Sequence, residues 1–147
     1  METAKSFKIF ILDDDAFCRG IYEQHLKNLG FIDIKSFDEC YDCFVNLTEQ
    51  PDILFLDNLT KPSNGIEVLK AIKRFNSDIH VVIMTAHEDM RVALRAQKYG
   101  AFGYIIKGEK DVEMITSVMK KITKMIEAEE KPQAKKSNKL FMLLNLF

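Results

Sequence analysis

Five short apolar runs, each followed by a stretch of helical periodicity, constrain this chain more than any other feature. The runs read FKIFILD (7–13), FIDIKSF (31–37), DILFLD (52–57), IHVVIMTA (79–86) and FGYIIK (102–107). The first, third and fourth are apolar almost throughout, which suits strands covered on both faces rather than strands with one wet side. The first intervening stretch, 15–30, sets Phe17, Ile21, Leu26 and Leu29 at roughly helical spacing and stops at Gly30. The second, 38–50, has Asp38 as N-cap and Tyr41, Phe44, Val45 and Leu47 as its apolar side, and Pro51 breaks it. NLTKPSNG (58–65) is a turn-rich loop. Beyond it, 66–76 places Val68, Leu69, Ile72 and Phe75 on one face, and 88–100 is closed by Gly100. The last helix, 111–130, carries a stripe of Val112, Ile115, Val118, Met119, Ile122, Met125 and Ile126.

Buried strands alternating with amphipathic helices specify an α/β fold built on a parallel sheet. Right-handed crossovers restrict its topology further. Five βα units fit a doubly wound, flavodoxin-like, three-layer arrangement with strand order 2-1-3-4-5. The ligand crevice of that order opens at the carboxyl ends of strands 1 and 3. One domain is expected over 1–130. The segment 131–147 reads as a basic linker, KPQAKKSNK, and an apolar tail, LFMLLNLF.

The polar residues collect at one edge of this sheet. Strand 1 ends at Asp13 and Asp14, strand 3 at Asp57, strand 4 at Thr85 and strand 5 at Lys107. Three carboxylates converging on one crevice repel one another unless a cation sits among them. Hard oxygen donors at a shallow, hydrated site suit Mg²⁺, with Mn²⁺ as the alternative. A carboxylate can attack phosphorus and become an aspartyl phosphate, a transfer that depends on positioning and charge neutralisation. Asp57, the metal, the Lys107 ammonium and the Thr85 hydroxyl together make a complete site for it. Asp15, the third aspartate of ILDDD, is read as the N-cap of the first helix.

Other features exclude function classes. The formal net charge of -1 gives no global bias toward nucleic acid or anionic membrane. No apolar run approaches the ~20 residues of a spanning helix, and the first residues lack a signal-peptide core, so a cytoplasmic protein is expected. Cys40-x-x-Cys43 has metal spacing but no second pair follows, so helix-face packing is the preferred reading. With Cys18 the count is three, which argues against a disulfide framework. The apolar tail is read as a protein–protein packing segment; docking on its own domain, contact with a membrane surface, or the cut start of something longer stay open.

At these residues the sequence resembles a response-regulator receiver domain, the phosphoacceptor module of two-component signalling. The resemblance covers about residues 6–128 and rests on ILDDD, DILFLDNLTKPSNG, VVIMTAH and GAFGYIIK. It implies Asp57 as the phosphorylated aspartate and Asp14 as a direct metal ligand, with Asp13 acting through water and the Leu59 backbone carbonyl as a further ligand. It implies Thr85 as the phosphoryl-binding hydroxyl, Lys107 as its cation, Tyr104 as the switch aromatic, and Ala86 as the small residue that leaves the phosphodonor a path. The implied partners are a histidine kinase or phosphotransfer protein and a downstream protein target or linked output domain, reached through helix 4, strand 5 and helix 5. Direct nucleic-acid binding is not expected. Arg91, Arg95 and Lys98 leave a homodimer open beside a solvated face.

The chain departs from the family pattern in three places. Pro62 stands five residues after Asp57 instead of four, although Gly65 is kept. Gly108 replaces the proline that usually follows the strand-5 lysine in cis, so a trans Lys107–Gly108 bond is expected. Leu59 and His87 flank the approach of hydrolytic water, and an apolar Leu59 is expected to slow self-dephosphorylation. An aspartyl-phosphate phosphatase would carry an acid two residues after the nucleophile, where Leu59 cannot transfer a proton. A scaffold that is never phosphorylated would not need all of Asp13, Asp14, Asp57, Thr85 and Lys107. A receiver, not a turnover enzyme on a separate substrate, is therefore the preferred reading.

Overall fold

The structure, a computed structural model, describes residues 5–58 and 64–130, except the side chains of Lys5 and Glu130. The expectations placed on Leu59, Pro62 and the segment 131–147 fall outside the described residues. The elements run β1 (Lys5–Leu12), α1 (Ala16–Asn28), β2 (Phe31–Phe37), α2 (Cys40–Val45), β3 (Ile53–Asp57), α3 (Gly65–Phe75), β4 (His80–Thr85), α4 (Met90–Lys98), β5 (Gly103–Ile106) and α5 (Asp111–Glu130), with a 3-10 turn at Asn46–Glu49. All strands pair in parallel in the order β2-β1-β3-β4-β5, the doubly wound order expected from the alternation.

The central strands are apolar on both faces because both are covered. Phe10 and Leu12 of β1, Leu54 and Leu56 of β3, and Val81 and Ile83 of β4 join one cluster with Cys43 of α2, Leu69 and Ile72 of α3 and Ala96 of α4. The alternate residues Ile9, Ile11, Ile53, Phe55, Val82 and Met84 are equally buried and point to the other face, where α1 brings Tyr22 and Leu26 against β1 and β2. The edge strand β2 is different. Only Phe31 and Phe37 of it are buried, and its charged side chains pair with neighbours, Lys8 Nζ to Asp33 at 3.2 Å and Lys35 Nζ to Glu49 at 2.8 Å.

Two helices present a face that differs from the one expected. In α1, Phe17 is 75% exposed and Ile21 is 40% exposed, while Tyr22 and Leu26 are buried. The inward stripe is Cys18, Tyr22, Leu26 and Leu29, one residue out of phase with the expected one. In α2 and the turn after it, Tyr41 and Val45 are exposed, while Leu47 is buried and Phe44 packs against the core as expected, joined on the inner side by the buried thiols of Cys40 and Cys43. Glu39, not Asp38, occupies the N-cap, without a side-chain bond. The helix tightens into its 3-10 turn where the Asn46 side-chain amide donates to the carbonyl of Asp42 at 2.7 Å, and Gln50 ends it in the left-handed region at φ 58°. Phe75 at the end of α3 and Met125 in α5 are also exposed, while Ile115, Val118, Met119, Ile122 and Ile126 are buried as the α5 stripe required.

Cys40 and Cys43 are buried and form no disulfide among the described residues, in keeping with helix packing. Burial pushes the Cys43 thiol up to about 12, so the unliganded thiol stays protonated at neutral pH. Among the described residues no helix is long and apolar enough to cross a membrane.

Candidate functional site

The register of the sheet sets the site. Leu12 of β1 lies beside Leu56 of β3, Asp57 beside Met84, and Thr85 beside Ile106. The residues at or just past these ends, Asp13, Asp14, Asp57, Thr85 and Lys107, therefore share one edge. One carboxylate oxygen from each of Asp13, Asp14 and Asp57 lies within 4.8 Å of the others, with Asp13 and Asp57 buried and Asp14 exposed.

Asp13 is held on every side. Its N–H donates to the carbonyl of Phe37 at 3.1 Å, and its own carbonyl accepts from Arg19 Nη1 at 2.7 Å. Oδ1 accepts from the N–H of Asp15 at 2.9 Å, and Oδ2 accepts from Lys107 Nζ at 2.7 Å. Asp15 caps α1 as expected, its Oδ1 accepting from the N–H groups of Phe17 at 2.9 Å and Cys18 at 3.3 Å. Those two bonds hold the exposed Asp15 carboxyl below its ordinary range. The ILDDD triplet thus divides between a cap and a site.

Lys107 bridges the cluster, 2.7 Å from Asp13 Oδ2 and 3.2 Å from Asp57 Oδ1. Burial pulls its ammonium down, but the hydrogen bond and charge of Asp13, with Asp57 behind them, outweigh that and hold it above the usual lysine range. Its backbone N–H donates to the carbonyl of Thr85 at 2.7 Å. Thr85 is buried, and its Oγ1 accepts from the N–H of His87 at 3.2 Å. The half-buried Tyr104 donates its hydroxyl to the carbonyl of the same His87 at 3.3 Å. Thr85 and Tyr104 therefore meet at one residue.

Asn58 carries the chain away from Asp57. Its N–H donates to the carbonyl of Met84 and its carbonyl accepts from the N–H of Gly65, both at 2.8 Å. A Cβ on Gly65 would lie 2.6 Å from Asn58 Oδ1 and 2.8 Å from Asn58 Cα, so this glycine lets the start of α3 close on the residue after Asp57. Gly65→Ala is expected to lower the midpoint of urea unfolding by the equivalent of ~1–3 kcal/mol, the usual range for overpacking.

The oxygen-only, anionic donor set fits a hard divalent cation such as Mg²⁺. Asp13, Asp14 and Asp57 are the residues that would hold it. Three further residues, which the strand-end reading passes over, support the site. Arg19 holds the Asp13 carbonyl. Tyr22 donates its hydroxyl to Asp111 Oδ2 at 2.9 Å, and the N–H of Gly108 donates to the same oxygen at 3.3 Å. Reading α1 in the frame of Cys18, Tyr22, Leu26 and Leu29 would have turned Tyr22 inward. Nothing in sequence spacing marks Asp111 as its partner, 89 residues away.

The family model for the response regulator receiver domain matches residues 9–119. Among curated proteins, the DNA-binding transcriptional regulator NtrC of Proteus hauseri is 34% identical over 100 residues, which cover 67% of this chain and 21% of that protein. The chain thus spans about a fifth of the length of that relative. Among solved structures, a two-component response regulator from Clostridium difficile matches with a TM-score of 0.76 at 22% identity, over 82% of this chain and 98% of the other. The BeF3-activated receiver domain of DrrB from Thermotoga maritima matches with a TM-score of 0.72 at 25% identity, over 82% of this chain and 99% of the other.

Proposed function

Because the chain belongs to the response regulator receiver domain family, we propose that it takes a phosphoryl group from a histidine kinase or phosphotransfer protein onto Asp57 and relays that event through protein contacts. The supporting observation is the convergence of Asp13, Asp14 and Asp57 within 4.8 Å, with Lys107 paired to two of them. An Asp57 oxygen attacks phosphorus, and the bond from phosphorus to the donor breaks as the new one forms. Lys107 neutralises charge on the phosphoryl oxygens, and Thr85 turns its hydroxyl toward them. Bound Mg²⁺ would add two positive charges against the same oxygens.

The signal then leaves through Thr85. Once its Oγ1 turns to the phosphoryl group, the contact with His87 that it shares with Tyr104 changes, and Tyr104 moves inward. The receiving surface includes α4 and β5, on which Met90, Leu94 and Ile106 are exposed. A protein target or a linked output domain is the expected reader, in the cytoplasm. A homodimer through Arg91, Arg95 and Lys98 of α4 is the second arrangement.

Incubation with acetyl phosphate and Mg²⁺ tests the reading. The intact mass should rise by one phosphoryl group, map to Asp57, and fail to rise in EDTA. Continuous phosphate release would replace the reading by a phosphatase. No mass gain would leave a scaffold.

A further inference from the structure

Lys107 directly follows β5 and precedes Gly108, one of the three places at which the chain departs from the family pattern. Gly108 sits at φ 156°, a value closed to proline, whose ring fixes φ near -65°. Its N–H, which proline lacks, donates to Asp111 Oδ2 at 3.3 Å. The same oxygen accepts from the Tyr22 hydroxyl at 2.9 Å. The N–H of Asp111 returns to the carbonyl of Gly108 at 3.3 Å, which closes the turn. Tyr22 is 2% exposed and belongs to α1, the helix whose Arg19 grips the Asp13 carbonyl.

We propose that Tyr22 and Asp111 are positioning residues for Lys107: one carboxylate oxygen, shared by a hydroxyl from α1 and the N–H of Gly108, pins the turn that follows β5 and so fixes where the Lys107 ammonium lies. This rests on the phosphoacceptor reading for its consequence, though not for its geometry. On the other side, the N–H of Lys107 is fixed to the Thr85 carbonyl at 2.7 Å. The backbone of Lys107 is therefore held on both flanks, by β4 before the turn and by α1 through Asp111 after it. The side chain then spans from that anchored backbone to Asp13 and Asp57 with little freedom. Gly108 does by hydrogen bond what a proline ring does by covalent restriction. α1 thereby orients both an acidic member of the site, through Arg19, and its cation, through Tyr22.

The test uses the full chain with Tyr22→Phe, which keeps the buried ring and removes only the donor, and with Asp111→Asn. Two measurements are made well below the unfolding temperature. In the first, amine acylation is followed at Lys107, with Lys73, whose Nζ is held by the carbonyls of Ser77 and Ile79, as the internal control. Tyr22→Phe is expected to speed acylation of Lys107 about fivefold, the equilibrium value of one net hydrogen bond, and to leave Lys73 unchanged. In the second, the phosphorylation rate with acetyl phosphate is expected to fall by about the same factor, and the effect is expected to vanish in a Lys107→Ala background. Unchanged acylation of Lys107 in both variants overturns the proposal. So does a rate loss that persists without Lys107, since that marks a merely structural role, or acylation that rises while the phosphorylation rate stays the same. If the native chain takes up no phosphoryl group, the phosphoacceptor reading fails, and the acylation measurement alone decides the clamp.

Discussion

Asp57→Asn is expected to take up no phosphoryl group from acetyl phosphate under conditions that load the native chain, while unfolding at a higher urea concentration in EDTA. Both effects follow from the same oxygen. The carboxamide is not an anionic nucleophile, so the attack on phosphorus is lost completely rather than slowed. In the native chain without a bound cation, three carboxylates crowd within 4.8 Å, and among the described residues Lys107 is the ammonium paired with them. Replacing Asp57 removes its charge repulsion with both Asp13 and Asp14 and gives up its 3.2 Å charge pair with Lys107. The shorter 2.7 Å pair of Lys107 with Asp13 remains. The balance favours the variant by on the order of 1 kcal/mol, with close charges at an effective dielectric of about 20. The added stability that Mg²⁺ gives the native chain should largely disappear. A phosphoryl adduct on the variant would move the nucleophile elsewhere, and a loss of stability in EDTA would show that the carboxylate cluster is not under electrostatic tension.

Lys107→Ala carries the second large effect. Removing a fixed cation aimed at developing charge slows transfer by ~10²–10³-fold in comparable sites, and the rate of phosphoryl uptake should fall in that range. Stability should fall as well, by about 3 kcal/mol in EDTA, because breaking a buried pair leaves Asp13 and Asp57 without their counter-charge. Millimolar Mg²⁺ should restore much of it. The pH dependence has a definite sign. The folded-state pKa of Lys107 is raised, so its contribution is fully present below the unfolded-state value of about 10.4. It is lost as the pH rises through the higher folded value. Urea midpoints of the native chain should therefore drop above about pH 10, and the Lys107→Ala midpoints should lack that part of the drop. Equal profiles would mean that the ammonium contributes nothing to the fold.

The fold was legible because each central strand is apolar on both faces and stops at a polar residue. That boundary placed Asp13, Asp14, Asp57, Thr85 and Lys107 before any contact was known, and chain order with right-handed crossovers set the strands side by side. Asp15 was legible as a cap for a local reason: its carboxylate accepts from Phe17 and Cys18, two and three residues on. The face of α1 was not. Phe17 and Ile21 compete with Cys18 and Tyr22 for the inward position, about 100° apart on the helix, and both frames end on Leu26. The larger apolar residues lost, because what turns inward is set by the sheet beneath and by the polar end of Tyr22 meeting Asp111. In α2, Cys40 and Cys43 took the inward places expected of Tyr41 and Val45, while Phe44 and Leu47 kept theirs. The hydrogen bonds of Arg19 to the Asp13 carbonyl, six residues back, and of Tyr22 to Asp111, 89 residues on, follow no periodicity and left no mark in the sequence.

The charged edge strand has a consequence for how copies of this chain behave together. β2 ends the sheet, so one side of its backbone offers N–H and C=O groups to any strand that approaches. With a formal net charge of -1, two copies repel each other only weakly as whole molecules. Protection against sheet-to-sheet joining must then be local, and Asp33 and Lys35 provide it. Their ion pairs to Lys8 and Glu49 hold fixed charges along the strand, which a second copy would have to strip of water or displace in order to pair. At this edge, resistance to sheet-to-sheet joining rests on the charges of one strand and not on the net charge of the chain.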